Sequence, residues 1–307
     1  MTKERKIPHG VISRIYGGLG NQMFQYAAGR ALSLRLGQPF YLESGWFAQK
    51  HETTANRNFQ LTAFPHLAEA IAGILNFAEK KPKKTLLERW YHSIEKRLPG
   101  YEDRKPKKIQ EPYFQFWPGF LDLKAPVVLD GYWQTERYFA EYRREILHDF
   151  TFPELPPQAA AMRDRILAAH NAVSLHIRRG DYVSNPQVSA EFGNMGDTYW
   201  SNALNLLETE CGTMTLFLFS DDTEWVKQNF DSHGHEAVIV DLDHGDTPWH
   251  DMHLMSLCRH HIIANSSFSW WGAWLTRQEG TTIAPKTWFA NLPHDTNDIC
   301  PTSWKRV

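Results

Sequence analysis

VISRIYGGLGNQMFQYAAGRALSLRLGQPFYLE, residues 11–43, decides the fold class. The apolar run VISRIY reads as a strand, and GGLGN turns the chain. Residues 21–36 then place Met23, Phe24, Ala27, Ala28, Ala31 and Leu34 at helical spacing, with Gly37 as the stop. QPFYLE reads as the next strand. Strand, glycine turn, helix and strand make the β-turn-α-β unit of an open α/β layer.

The second half repeats this logic. AVSLHI (172–177), TMTLFLF (213–219), EAVIV (236–240), HIIA (261–264) and TTIAP (281–285) read as strands. Between them, residues 199–209, SDDTEWVKQNF (220–230), residues 249–259 and SSFSWWGAWL (266–275) read as helices. Such alternation predicts a parallel sheet with helices on both faces. VVLDGYWQTERYF (127–139) reads as a strand, an aromatic turn and the start of a helix. PELPP (153–157) shifts the composition and marks the expected domain boundary.

Composition removes several function classes. A formal net charge of −2 gives no global basic field for nucleic acid, so an anionic ligand must be held by local charge. Cys211, Cys258 and Cys300 lie far apart without a CxxC pair, which argues against a disulfide framework or a thiolate zinc site. MTKERKIPHG lacks the apolar core of a secretory signal, and no stretch reads as a membrane span. The expectation is a cytoplasmic protein. In the middle, EKKPKK (79–84) precedes TLLERWYHSIEKRL (85–98), which is apolar along one side and basic along the other. Two readings stay open there: a solvated helix face, or a helix that docks on anionic lipid.

Three stretches carry chemistry. GGLGNQM resembles a dinucleotide fingerprint starting at Gly18, but Met23 replaces its third glycine, and no Walker-type lysine follows. What remains is a turn through Gly18 and Gly20 that sets Asn21 and Gln22 at a helix start, where free amides favour an anion and side-chain amides bond hydroxyls. HIRRGDY (176–182) follows a strand, where ligands of open α/β sheets bind. Arginine suits a diphosphate because its fork bonds two oxygens and stays charged. His176 and Arg178 share parity, so these two are expected to face the ligand while Arg179 turns into structure. Asp181 is placed to orient an arginine or to take a proton. In NSSFSWWGAWL (265–275), Ser266 and Ser267 can cap a helix whose amides at Ser267 and Phe268 also suit an anion, while Trp270, Trp271 and Trp274 read as core. DLD (241–243) matches the DxD pattern of metal-dependent sugar transferases, but the arginines already supply the positive charge. The histidines of residues 233–261 lack the spacing of a ligand set.

Together, GGLGNQMFQYA, HIRRGDY, LFSDD and ANSSFSWWGAWL resemble the bacterial α-1,2-fucosyltransferases of glycosyltransferase family 11 from about residue 17 to about residue 285. The resemblance implies a GT-B fold, two Rossmann-like domains facing across a cleft, with residues 1–155 on the acceptor side and 156–307 binding the donor. It implies transfer of fucose from GDP-β-L-fucose, with inversion and without a metal, to O2 of a terminal galactose. The acceptor would be an oligosaccharide such as lactose or a lipid-linked glycan. By the same resemblance Arg178 contacts the β-phosphate, and His176 lies against the nucleotide sugar. Ser266, Ser267 and Phe268 form the phosphate-contacting turn, and Asn21 approaches the reaction centre. Asp241 and Asp251 both stand in the region expected to read guanine, and the motif does not choose between them. An α-1,6- or protein O-fucosyltransferase shares the donor motif, and a DxD transferase stands as the metal-dependent rival.

Overall fold

The computed structural model describes residues 8–49, 57–75, 106–180, 189–191, 193, 195–242 and 247–307. Asp181, Asp243 of the DLD stretch and the amphipathic stretch 85–98 lie outside the described residues. The chain divides into two compact units, Met1–Thr151 and Phe152–Val307.

The first unit holds a four-stranded parallel sheet of β1 (Val11–Arg14), β2 (Phe40–Glu43), β3 (Lys107–Gln110) and β4 (Val127–Asp130), in the order β2-β1-β4-β3. Helix α1 (Leu19–Leu36) crosses from β1 to β2. It ends as expected at Gly37, whose φ of 60° is left-handed. The amides of Gly37 and Gln38 close back onto the carbonyls of Leu34 and Ser33. Its start differs from the sequence expectation. The helix begins at Leu19, and Gly18, in extended backbone, is the cap, so Asn21 lies inside the first turn. The helix is also buried more widely than a single apolar stripe requires, with Gln22, Gln25 and Ser33 enclosed as well. Tyr26 explains part of this. Its ring meets Phe40 of the sheet and Phe150 at centroid distances of 5.3 Å each. Its hydroxyl donates to Asp149 at 2.9 Å, and Arg30 pairs with the same carboxylate. Asp149 ends the short helix Arg143–Asp149, so α1 is enclosed between that helix and the sheet.

The second unit holds six parallel strands: β5 (Ala172–Ile177), β6 (Thr215–Ser220), β7 (Glu236–Ile239), β8 (His260–Ile262), β9 (Thr282–Ala284) and β10 (Lys305–Arg306). Their order is β10-β9-β8-β5-β6-β7. The period-two alternation of the strands sorts the core into two faces. Val173, Leu175, Ile177, Leu216 and Leu218 pack on one side with Tyr199, Trp200, Ala203, Leu204 and Leu207 of the helix Asp197–Cys211. Phe217, Phe219 and Val238 pack on the other with residues of the helices Pro157–Ala168 and Trp249–Leu257. Helices on both faces of a parallel sheet are what the alternating sequence predicted. The two short edge strands β3 and β10 were not read from it. Trp270, Trp271 and Trp274 are buried, as the sequence suggested.

Close packing of α1 on its sheet depends on Gly29. A methyl added there would lie 2.0 Å from the Ser13 hydroxyl and 2.6 Å from the Phe40 ring. Overpacking of a tight core costs roughly 1–3 kcal/mol. Gly29→Ala is expected to lower the unfolding free energy by that amount, read as a lower urea midpoint at unchanged slope, and a midpoint equal to wild type would show that Ser13 and Phe40 give way without loss.

Candidate functional site

The strand order of the second unit reverses at β5. From β5 the chain proceeds through β6 and β7 on one side, and through β8, β9 and β10 on the other. Ligands of open α/β sheets bind beyond the carboxyl ends of the strands at such a switch point. The segments that leave β5 and β8 there are Arg178–Arg179–Gly180 and Asn265–Ser266–Ser267–Phe268.

All six residues of β5 are buried, so the turn that follows it is anchored. The register sets Ile177 opposite Ser220, which brings the turns after β5 and β6 side by side. Arg178 Nη1 lies 2.6 Å from Asp221 Oδ2. The other oxygen of Asp221 accepts from the amides of Arg179 at 2.9 Å and Gly180 at 3.1 Å. A side chain at Gly180 would collide with this carboxylate, its Cβ lying 2.5 Å from Oδ2. Burial by itself would raise the Asp221 pKa, but the Arg178 charge and the two amides outweigh it and hold the carboxyl below its usual range. Asp221 was not singled out from sequence as a site residue. Its signal was the LFSDD stretch, where the strand ends in two acids.

Arg179 takes the opposite course from Arg178. Its guanidinium sits 3.7 Å above the Trp225 ring, and its Nε lies 3.4 Å from Asp222. Asp222 in turn caps the helix Thr223–Asn229 by accepting from the Trp225 amide at 3.1 Å. The pair of arginines is therefore divided between the turn and the structure beside it. His176 is 5% exposed, its ring meets Phe268 at 5.9 Å, and its Nδ1 makes no hydrogen bond. Burial lowers its pKa to about 4, with Arg178 adding to the effect and Asp221 opposing it, so the ring is neutral at pH 7.

Across the switch point, Ser266 caps the helix Ser267–Trp274, its hydroxyl accepting from the Phe268 amide at 3.3 Å. Ser267 is the first helical residue, and the positive end of the helix dipole lies here. One arginine, a neutral histidine, an aromatic ring and a helix N-terminus thus meet at one sheet edge. Asp241 follows β7, two strands from β5, and is exposed. It accepts from Thr223 at 3.3 Å and pairs with Lys227 at 3.0 Å. Asp251 sits half-buried in the first turn of the helix Trp249–Leu257. Among the described residues no group of three or more His, Cys, Asp or Glu is arranged to hold a metal ion.

The remaining predicted residues belong to the first unit. Gly17, with φ of 77°, and Gly18 turn the chain from β1 into α1, and Gly20 is buried in the first turn. Asn21 Oδ1 accepts from Gln134 Nε2 at 2.8 Å. Gln22 is 0% exposed. Its Nε2 donates to the carbonyls of Gly17 and Asn58, and its Oε1 accepts from the Gln60 amide. It ties residues 58–60 to the glycine turn. Gln134 was likewise not singled out from sequence, because only the fold brings it 2.8 Å from Asn21.

The fold and this sheet edge define an α/β protein with parallel sheets and an anion-favouring turn at a switch point. Residues 11–307 match the model of Glycosyl transferase family 11, and the chain belongs to that family. It is 34% identical to an alpha-1,2-colitosyltransferase of Escherichia coli, over 97% of this chain and 98% of that protein. It is 27% identical to the galactoside alpha-(1,2)-fucosyltransferase 2 of Oryctolagus cuniculus, over 88% of this chain and 68% of that protein. In fold it resembles the crystal structure of the fucosyltransferase NodZ from Bradyrhizobium. The TM-score is 0.51 at 16% identity, covering 88% of this chain and 93% of that one. No helix among the described residues is long and apolar enough to cross a membrane.

The buried His176 makes a pH prediction. Its folded pKa of about 4 lies below the ordinary value of 6.5, so between these values the unfolded chain binds the proton and the folded chain does not. The stability tied to this group is present above pH 6.5 and is lost as pH falls towards 4. In His176→Phe this loss is absent. The wild-type Tm should therefore fall relative to that of the variant from pH 7 to pH 4.5, and a pH-independent difference would place the ring in solvent.

Proposed function

We propose that this chain transfers L-fucose from GDP-β-L-fucose to O2 of a terminal galactose in an oligosaccharide, with inversion to an α-1,2 linkage and without a metal. The observation that carries the reading is the convergence of Arg178, His176 and the capped helix start at Ser266 on one switch point. The family and the printed names of the relatives support the sugar class and the linkage. The GT-B arrangement, with residues 1–155 on the acceptor side and 156–307 on the donor side, is part of the same proposal.

The chemistry follows from these groups. The galactose O2 attacks fucose C1 as the bond from C1 to the β-phosphate oxygen breaks, and the bonding pair leaves with GDP. Negative charge grows on the β-phosphate. Arg178 exchanges Asp221 for the diphosphate and, with the amides at Ser267 and Phe268, stabilises that charge where it develops. Asp221 keeps the arginine aimed before the donor arrives. His176, neutral at working pH, packs against the nucleotide sugar without adding charge. Gln22 acts through the turn it holds and Asn21 orients the acceptor, while one of Asp241 and Asp251 reads guanine. The hydroxyl proton goes either to Asp181 or to a departing diphosphate oxygen. Contact with a membrane that carries a lipid-linked acceptor rests on the sequence of residues 80–98 alone.

A second reading of the donor is favoured by the 34% identical relative, whose name specifies colitose. Colitose is fucose without its 3-hydroxyl. A site built to bond that hydroxyl rejects the deoxy sugar by roughly 10⁴–10⁵-fold, and a site that does not bond it discriminates weakly.

The test is GDP release from GDP-fucose, with lactose as acceptor, in EDTA. Acceptor-dependent release is expected, and a strict need for Mn²⁺ would revive the metal-dependent DLD reading. Competition between GDP-fucose and GDP-colitose should favour GDP-fucose in kcat/KM, and the reverse preference would move the assignment to colitosyl transfer. Arg178→Ala should lose about 10²–10³-fold in kcat, the usual loss of one transition-state charge contact. Asp181→Asn separates the two proton routes: turnover lost with GDP binding kept identifies the base, and turnover kept assigns the proton to the diphosphate.

A further inference from the structure

The first unit has a switch point of its own. In the order β2-β1-β4-β3 the chain passes from β1 to β2 on one side and occupies β4 and β3 on the other. The segments that leave β1 and β4 at the carboxyl edge are residues 15–21 and 131–134, and two side-chain pairs join them. The rings of Tyr16 and Tyr132 meet edge to face at 5.2 Å, and Gln134 Nε2 donates to Asn21 Oδ1 at 2.8 Å. Tyr132 is 41% exposed, although Gly131 before it is buried and Trp133 after it is 1% exposed.

That turn is held in a conformation its residues do not favour. Trp133 has φ of 57°, a left-handed backbone unusual for a bulky residue. Glu111, just beyond β3, holds it there. Its two carboxylate oxygens accept from the amides of Tyr132 at 2.7 Å and Trp133 at 3.0 Å. Gly131 lets the chain pass over this carboxyl, since a Cβ there would lie 2.3 Å from the Glu111 Cβ. The Trp133 ring is wedged against Phe120 at 5.5 Å and Tyr138 at 5.3 Å. Burial raises the Glu111 pKa to about 7 against the pull of both amides, so the acid is kept in an environment that disfavours its charge. Strain and a disfavoured carboxylate together serve to present Tyr132 and Gln134.

The side chains gathered at this edge point to the ligand class. Arg14 is bound to Glu43 at 3.1 Å and to Asp130 at 2.7 Å, and Lys108 to Asp130 at 2.7 Å. Both cations are thus engaged by carboxyls within the sheet. An exposed aromatic ring beside a side-chain amide pair instead suits an uncharged pyranose, whose C–H face lies on the ring and whose hydroxyls bond the amides.

We propose that the switch point of the first unit is the subsite for the terminal galactose of the acceptor. Tyr132 is its stacking surface, the Asn21–Gln134 pair bonds its hydroxyls, and Glu111 is the positioning residue that sets the turn. The assignment of galactose rests on the α-1,2-transferase reading, whereas the choice of a neutral sugar rests on the geometry of this edge.

The experiment compares Tyr132→Ala, Tyr132→Phe, Glu111→Ala and Glu111→Gln with wild type in lactose KM, GDP Kd and Tm. Tyr132→Ala should raise lactose KM by roughly 2- to 10-fold, the scale of a lost aromatic contact, and Tyr132→Phe should stay near wild type. Glu111→Ala should raise lactose KM with GDP Kd unchanged, and Glu111→Gln, which keeps one acceptor oxygen, should recover part of it. Saturation-transfer NMR with methyl β-galactoside gives a readout independent of turnover. If fucosyl transfer is absent but the sugar signal is present in wild type and lost in Tyr132→Ala, the subsite stands and the donor assignment fails. If transfer proceeds and Tyr132→Ala keeps both the wild-type lactose KM and the sugar signal, the proposal is overturned. A rise in GDP Kd in Glu111→Ala equal to its rise in lactose KM would overturn the positioning role.

Discussion

The register of β5 against β6 is the constraint on which the second unit's edge depends. Ile177 lies opposite Ser220, so the chain leaves both strands at the same height. Arg178 and Asp221 can then meet at 2.6 Å. A shift of one residue would turn every side chain of β5 to the other face, exchanging Leu175 and Ile177 in the core for His176 and Arg178. Burial of all six β5 residues makes that shift expensive, and the hydrophobic pattern of the strand fixes the position of a charged group beyond its end. On the other side, β8 runs parallel to β5 with Leu175 opposite Ile262, which brings the capped helix start at Ser266 to the same edge.

The two units use one topology with different electrostatics. Each has a parallel sheet whose order reverses, and each gathers side chains where it does. In the second unit the histidine is neutral by burial, and one arginine is braced by a carboxylate. In the first unit the cations are tied to carboxyls on neighbouring strands, leaving aromatic and amide groups at the edge. The same fold can therefore present an anion-favouring edge and a neutral one, because the fold fixes where side chains gather and the sequence fixes their charge.

Much of the fold was legible in the sequence. The glycine turn after VISRIY, the Gly37 stop and the alternation of residues 172–285 each have a local cause: left-handed glycine backbone, helical spacing or a short apolar run. The errors were local too. The helix begins at Leu19 because Gly18 supplies the cap, and a glycine pair does not reveal which member lies outside the helix. The edge strands β3 and β10 escaped because KKIQ and KR carry little apolar pattern, and their pairing is decided by the neighbouring strand.

The sequence by itself determined the parallel α/β class and the residue types at the strand ends: arginines whose chemistry suits an anion, serine for a helix cap, tryptophans for core. Those follow from short-range geometry and intrinsic chemistry. Strand parity already separated the two arginines, but only the tertiary structure supplied their partners, Trp225 for Arg179 and Asp221 for Arg178. It also enclosed Gln22, joined Asn21 to Gln134 across 113 residues, and set Glu111 beneath the turn at Trp133. These partners are far apart in the chain. A carboxylate or an amide acquires its role from the neighbour it meets, and strand order, which no local pattern encodes, chooses that neighbour.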